Sequence, residues 1–294
     1  MKPAPFEYTA PGSLAEALAV LAEHGDAAKP LAGGQSLVPM LAMRLTRPRM
    51  LVSLKRLREL GGIRRDDGIL TIGAMTRHWE VEESRDVAEA SPLLAEAIGL
   101  VGHPTIRSRG TVGGSIAHAD PAAELPAVLV ALDGRVRLRS SRGERTVPAA
   151  EFFQGMMTTA ARPDELLTEV GFSVPAGARR GAAFEEVARR HGDFAMAAAA
   201  VALTLDADGR VTDARIALCG VEARPRRCTE AESALRGERL SGGDRLRDAA
   251  ALAAAGLDAL DDLHASRAFR THLAEVLTRR ALERAYRRAT GGRA

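Results

Sequence analysis

Two glycine pairs restrict this chain more than any other feature. The first, in Leu31-Ala32-Gly33-Gly34-Gln35-Ser36-Leu37, follows a run from Ala27 to Ala32 that reads as a short strand. A helical turn or two from Leu37 to Arg44 and another strand from Met50 to Leu54 come after it. The second, in Gly110-Thr111-Val112-Gly113-Gly114-Ser115, also leads into a helix, Pro121 to Leu132, with proline where a helix begins and Gly134 shortly after its end. Glycine admits positive φ and lets a ligand approach without meeting a Cβ, and consecutive amide N–H groups in such turns form anion-binding nests. The helix after each turn adds a partial positive end, worth about 0.3–1 kcal/mol to a nearby anion. Two such nests would hold a pyrophosphate from both sides. One pair alone reads first as a tight turn between packed elements; two of them with small polar residues at the same offset, Gln35-Ser36 and Ser115, bring the ligand reading level with it.

The rest of the chain supports a mixed helix-and-strand fold in two parts. Ser13 to Gly25 is a punctuated helix, with Ser13 and Glu16 in capping-box spacing and Leu14, Leu18 and Leu21 on one face. Gly62 to Gly73 reads as a hairpin around Asp67-Gly68, followed by helical segments at Arg77 to Glu83 and Val87 to Val101. Short strands alternate with turns from Arg135 to Val174, and Pro175-Ala176-Gly177-Ala178 is the best linker. The division is therefore 1–177, with subdomains of about 1–55 and 56–177, and 178–294. Beyond the linker, Ala182 to Arg189, Ala195 to Leu205 and Val211 to Val221 read as strands, and 228–290 as helices ending in a long arginine-rich one with a charged outer face.

Composition removes the common alternatives. The 294 residues hold 41 basic and 38 acidic side chains, a net charge of +3. The lysines, Lys2, Lys29 and Lys55, follow no glycine, so a P-loop is excluded, and GxGxxG, GxSxG and HExxH are absent. Cys219 and Cys228 are too few for an iron–sulfur cluster and wrongly spaced for a zinc ribbon. The scattered His78, His103, His191, His264 and His272 offer no metal set. Aromatic residues at 3% argue against a nucleic-acid platform. The longest apolar stretch, Phe194 to Leu203, is too short for a transmembrane segment, and the N-terminus has no secretory pattern, so a cytoplasmic location is expected.

Taken in order, Leu31 to Pro39 and Gly110 to Pro121 resemble the two FAD-binding signatures of the molybdenum hydroxylase flavoproteins, a family that includes the medium subunit of carbon monoxide dehydrogenase and the central region of xanthine dehydrogenase. The resemblance runs over essentially the whole chain, through Pro5-Phe6-Glu7-Tyr8, Leu166-Leu167 and Gly192-Asp193-Phe194-Ala195. It implies an α+β fold: a two-subdomain FAD-binding fold of the vanillyl-alcohol oxidase type, with the flavin between the subdomains. A C-terminal domain of a three-stranded antiparallel sheet and helices completes it.

By match of position, Leu31, Ala32, Gly33, Gly34, Gln35, Ser36 and Leu37 would wrap the FAD pyrophosphate with amides and the Ser36 hydroxyl. Thr111, Gly114, Ser115 and Ala117 would hold its other side, with Val101 nearby, Ala123 and Glu124 matching a small residue and a carboxylate at the cofactor, and Leu167 an apolar contact. Gln35 stands where histidine is also frequent, Glu186 where relatives often carry lysine, and Phe194 at an aromatic position that here lacks a hydroxyl. Glu124 is also what a helix dipole favours with no ligand, and His118 and Asp120 read equally as a turn histidine and a helix cap. Arg107 and Arg109 read as solvated arginines or as partner contacts.

The implied function is electron transfer through non-covalent FAD. A large subunit would carry the molybdenum cofactor, a small one the [2Fe-2S] clusters, and an external acceptor would take the electrons. A stand-alone flavin oxidase and a flavin-free binding module on the same fold remain as alternatives.

Overall fold

The computed structural model describes residues 2–177, 179–240 and 243–291. Ala178, at the start of the expected second domain, and Met1 and residues 292–294, at the outer chain ends, lie outside the described residues.

The first unit is a small parallel sheet. β1 (Glu7–Thr9), β2 (Ala28–Leu31) and β3 (Met50–Ser53) pair in the order β1-β3-β2. Helix α1 (Leu14–His24) opens where Ser13 Oγ accepts from the Glu16 amide at 3.3 Å, and it buries Leu14, Ala17, Leu18 and Leu21. Helix α2 (Leu37–Ala42) connects β2 toward β3, so the first glycine pair sits at the carboxyl end of a parallel strand.

The second unit begins with β4 (Ile63–Asp66) and β5 (Ile69–Gly73), joined by Asp67 and Gly68 at φ 44° and 73°, the double positive φ of a tight hairpin turn. Helices α3 (His78–Glu82), α4 (Arg85–Ala90), α5 (Pro92–Ile98), α6 (Pro104–Arg107), α7 (Val112–His118) and α8 (Glu124–Ala131) follow. Then come β6 (Arg135–Ser140), β7 (Gly143–Pro148), α9 (Ala149–Phe152), β8 (Phe153–Gly155), β9 (Thr158–Thr159) and β10 (Leu166–Ser173). The main sheet is antiparallel, in the order β4-β5-β10-β6-β7.

Two expectations are corrected here. The single helix expected from Val87 to Val101 is α4 and α5, because Ser91 precedes Pro92 and takes ψ 76°, outside the helical region that a following proline disfavours. The helix expected from Pro121 starts at Glu124, because Asp120 Oδ1 accepts from the Ala122 amide at 2.9 Å and Ala123 is extended.

The third unit is the antiparallel sheet β11 (Arg179–Ala188), β12 (Ala195–Leu205), β13 (Val211–Cys219) and β14 (Arg226–Arg227), with α10 (Thr229–Leu235), α11 (Asp244–Ala254) and α12 (Arg267–Ala289). The two-residue β14 is an addition to the expected three strands. Alternation along β12 explains how this sheet joins the rest. Ala197, Ala199 and Val201 face α12, while Ala198, Ala200 and Ala202 enter the core built around α5, α8 and the second sheet. Short alanine side chains on both faces let helices lie close on each. Every residue of α8 is consequently buried. Among the described residues no helix is long and apolar enough to cross a membrane.

Arginines bind the second and third units together. Glu96 of α5 accepts from Arg284 and, at 2.8 Å, from Arg288, while Arg227 donates to the Val130 carbonyl at 2.9 Å and to Asp133 at 2.6 Å. The final helix therefore turns part of its charge inward, where the sequence suggested an outer charged face.

Candidate functional site

The first glycine segment leaves its amides free. Among the described residues, the N–H groups from Ala32 to Leu37 donate to no protein acceptor; the local bonds run instead from the Val38 amide to the Gly34 carbonyl at 3.0 Å and from Gln35 Nε2 to the Gly33 carbonyl at 3.1 Å. Gly34 has φ 75°, which swings successive N–H groups to one side. Ser36 precedes α2 without a side-chain capping bond. Every residue from Leu31 to Leu37 is half-buried, so these donors border open space.

The second segment is built differently. Gly113 and Gly114 lie inside α7, and the helix is capped by Thr111, whose Oγ1 accepts from the Gly114 amide at 3.1 Å. The Val112 and Gly113 amides donate to the Thr76 and Ala74 carbonyls at 3.0 and 2.9 Å. These donors are used up within the fold, so the segment is no second amide nest. Its glycines serve close packing: a Cβ on Gly113 would stand 2.7 Å from Ala74 Cα, and one on Gly114 would stand 2.6 Å from Thr111 Oγ1 and 3.5 Å from the Ala32 methyl.

The two segments meet. A Cβ on Gly33 would stand 2.3 Å from the Arg109 carbonyl oxygen and 2.9 Å from Gly110 Cα. The structure thus sets the free amides of Ala32–Leu37 beside Gly114, with Ser115 half-buried and Ala117 exposed further along α7. Leu167, buried in β10, adjoins Thr168, whose carbonyl accepts from Ala74, the residue on which Gly113 rests. Val101 lies beyond α5, half-buried, with its carbonyl 3.4 Å from Arg107 Nη1. Ala123 and Glu124 open α8, one short connection beyond α7. Where α7 ends, His118 Nε2 stands 3.9 Å from Asp120 Oδ2; burial lowers the His118 pKa and Asp120 opposes the change.

Glu124 is 5% exposed, and its pKa is pushed up to about 8, first by burial and then by the charges of Glu186 and Asp120. Glu186 on β11 is pushed up to about 7 by burial; its Oε2 is enclosed and has no partner among the described residues. It borders a cavity of about 400 Å³ lined in part by Leu100, Phe184, Ala188 and His191. Phe194, beyond that loop, is 66% exposed.

Sequence reasoning treated Glu186 only as a lost positive charge. The missed signal is alternation: Ala182, Phe184 and Glu186 share one strand face, and the first two are core. It also missed His78, a buried imidazole under Gly110 whose nitrogens have no partner among the described residues and whose pKa is lowered to about 4 by burial. Arg107 is neither solvated nor poised for a partner: it is buried and grips Glu82 with bonds of 2.7 and 3.0 Å. Arg109 stays exposed.

Comparison with known proteins now gives the family. The FAD binding domain in molybdopterin dehydrogenase matches residues 4–176, and the CO dehydrogenase flavoprotein C-terminal domain matches residues 182–285. The chain belongs to the FAD-binding medium subunits of the molybdenum hydroxylases. It is 43% identical to the 6-hydroxypseudooxynicotine dehydrogenase complex subunit alpha of Paenarthrobacter nicotinovorans, over 98% of this chain and 97% of that protein. It is 42% identical to the caffeine dehydrogenase subunit beta of a Pseudomonas strain, over 97% and 96% respectively. Among solved structures, carbon monoxide dehydrogenase from Hydrogenophaga pseudoflava, lacking the Mo-pyranopterin moiety of its cofactor, superimposes with a TM-score of 0.94 at 39% identity, over 98% of this chain and 99% of that one.

Proposed function

We propose that this chain holds FAD non-covalently and serves as the electron-transfer subunit of a heteromeric molybdenum hydroxylase. A large partner carries the molybdenum cofactor and oxidises the substrate, and a small partner relays electrons through [2Fe-2S] clusters. This chain passes them to an external acceptor. Bound flavin supplies the junction between one-electron carriers and a two-electron reaction. The protein supplies binding, orientation and exclusion of water.

The observation that carries this reading is the run of free amides from Ala32 to Leu37, closed on one side by Gly114. Donors without partners at the end of a parallel strand fit a diphosphate. In this reading Leu31–Leu37 wrap the pyrophosphate, with Gln35 bracing the turn and Ser36 adding its hydroxyl. Ser115 and Ala117 take the far side, and Thr111 acts by pinning Gly114. Val101 and Leu167 flank the apolar part of the cofactor, and Ala123 and Glu124 approach it from α8. The vanillyl-alcohol oxidase type of arrangement, with subdomains of about 1–55 and 56–177 around the flavin and 178–294 as a further domain, belongs to the same proposal, as does a cytoplasmic location. The named substrates of the relatives differ, from 6-hydroxypseudooxynicotine to caffeine, on a shared flavoprotein architecture. Substrate choice is accordingly assigned to the large partner.

Acid precipitation of the purified yellow protein tests the cofactor and its mode of attachment together. FAD is expected in the supernatant. Colourless protein that takes up no added FAD contradicts the reading, and colour retained in the pellet contradicts the non-covalent bond.

A further inference from the structure

One acid away from the cradle has a buried, unpartnered oxygen. Glu186 Oε2 is enclosed with no hydrogen-bond partner among the described residues, and the side chain borders the 400 Å³ cavity beside Leu100, Ala188 and His191. A carboxylate without a donor is costly to bury, so such a group either carries a proton or awaits one.

α7 contacts α8, and α8 packs on β12, the strand that pairs with β11 at Glu186. α7 runs from its cap Thr111, beside the glycines, to its cap Ala119, a span of about 12 Å at 1.5 Å per residue. Asp120 follows, its charge acts on Glu124, and that of Glu186 acts on Glu124 as well. A cofactor held by its diphosphate at the cradle and lying along α7 would have its far end toward Glu124 and Glu186.

Resting on the FAD reading above, we propose that Glu186 is the proton-accepting group coupled to flavin reduction, ionised beside the oxidised flavin and protonated beside the reduced one. The balance is simple. Two electrons from the partner's iron–sulfur clusters and one proton from water enter the flavin, which gains one negative charge. A second proton from water converts the Glu186 carboxylate to the acid, and no bond to carbon is made or broken. The added charge on the ring is what raises the proton affinity of Glu186.

The surrounding charges favour Glu186 for this role. From α8 and the connection before it come Glu124 and Asp120, both acidic, and Glu124 holds its proton to about pH 8. From β13 comes the Cys219 thiol, kept protonated by burial and by these same acids. On β11 itself Glu185 is held by Arg284 of α12, which also grips Glu96 of α5, and Arg288 closes on Glu96 too. The remaining basic groups at the cavity are Arg190 and His191 in the loop after β11, and neither bonds Glu186. With burial pushing it to about 7, Glu186 changes state near neutral pH.

The test is the pH dependence of the flavin midpoint potential in the FAD-loaded complex, for wild type and for Glu186→Gln. Above about pH 7 the wild type is expected to take up one proton more per two electrons than Glu186→Gln, and below it the two should converge. Equal proton uptake at all pH values, with flavin bound in both, overturns the proposal. Should Glu186→Gln fail to fold, reduced-minus-oxidised infrared difference spectra of the wild type at pH 7, where Glu124 still holds its proton, decide the matter. A new protonated-carboxyl band on reduction supports the proposal, and its absence overturns it. A complex that binds no flavin at all would instead defeat the reading on which this inference rests.

Discussion

Replacing Glu124 by glutamine should stabilise the isolated chain at alkaline pH. The carboxyl is buried and its pKa rises from 4.5 to about 8, so the folded state binds this proton more tightly than the unfolded chain does. The favourable term is fully present below pH 4.5 and drains away as pH climbs through about 8. At 1.36 kcal/mol per pKa unit, keeping Glu124 ionised in the fold costs about 5 kcal/mol above that pH. Against a total of about 5–15 kcal/mol for a typical domain, such a loss is large. Because the Glu186 charge is the second cause of the rise, the loss should shrink when Glu186→Gln is made as well. Urea unfolding of the flavin-free chain at intervals from pH 5 to 9 reads the effect. Wild type is expected to lose stability steadily across that range and Glu124→Gln to lose much less. Parallel profiles for the two proteins would refute the reasoning.

Other expectations follow from the same geometry. Gly34→Val should abolish flavin binding because φ 75° is closed to a β-branched residue, at a cost of roughly 1–3 kcal/mol if it is forced. Gly114→Val should do so for another reason, displacement of the Thr111 cap; flavin content and circular dichroism separate loss of cofactor from loss of fold. Arg284→Ala removes the link from α12 to Glu96 and Glu185 and should cost about 1–3 kcal/mol in denaturant unfolding, the range for leaving half-buried charged hydrogen-bond partners unsatisfied. His78 is held neutral, its pKa lowered from 6.5 to about 4, so acid should remove about 3 kcal/mol of stability between those two pH values. A His78→Gln variant should show a flatter profile there.

Local chemistry was legible in the sequence where it also decided the structure. Ser13 with Glu16 placed α1, and Asp67-Gly68 placed the β4–β5 hairpin, because a cap and a double positive φ act within a few residues. The Ser91-Pro92 break between α4 and α5 was equally local and was outweighed by apolar periodicity across it. The second glycine pair misled for a subtler reason. Thr111 caps α7 from just before the glycines, so their small size serves contact with Ala74 and Ala32, not turning. The isolation of Glu186, the burial of His78 and the inward reach of Arg284 and Arg288 depend on which elements pack together across about a hundred residues or more. No periodicity carries that information.

The central claim is that this chain is one member of an electron-transfer assembly. Purification of the native protein through a tag on this chain, followed by analysis for flavin, iron, sulfide and molybdenum, tests it most directly. The account predicts non-covalent FAD in this chain, a small partner with [2Fe-2S] clusters and a larger partner with molybdenum. A solitary chain whose flavin is reduced rapidly by a small organic substrate would contradict it and establish a stand-alone oxidase in its place.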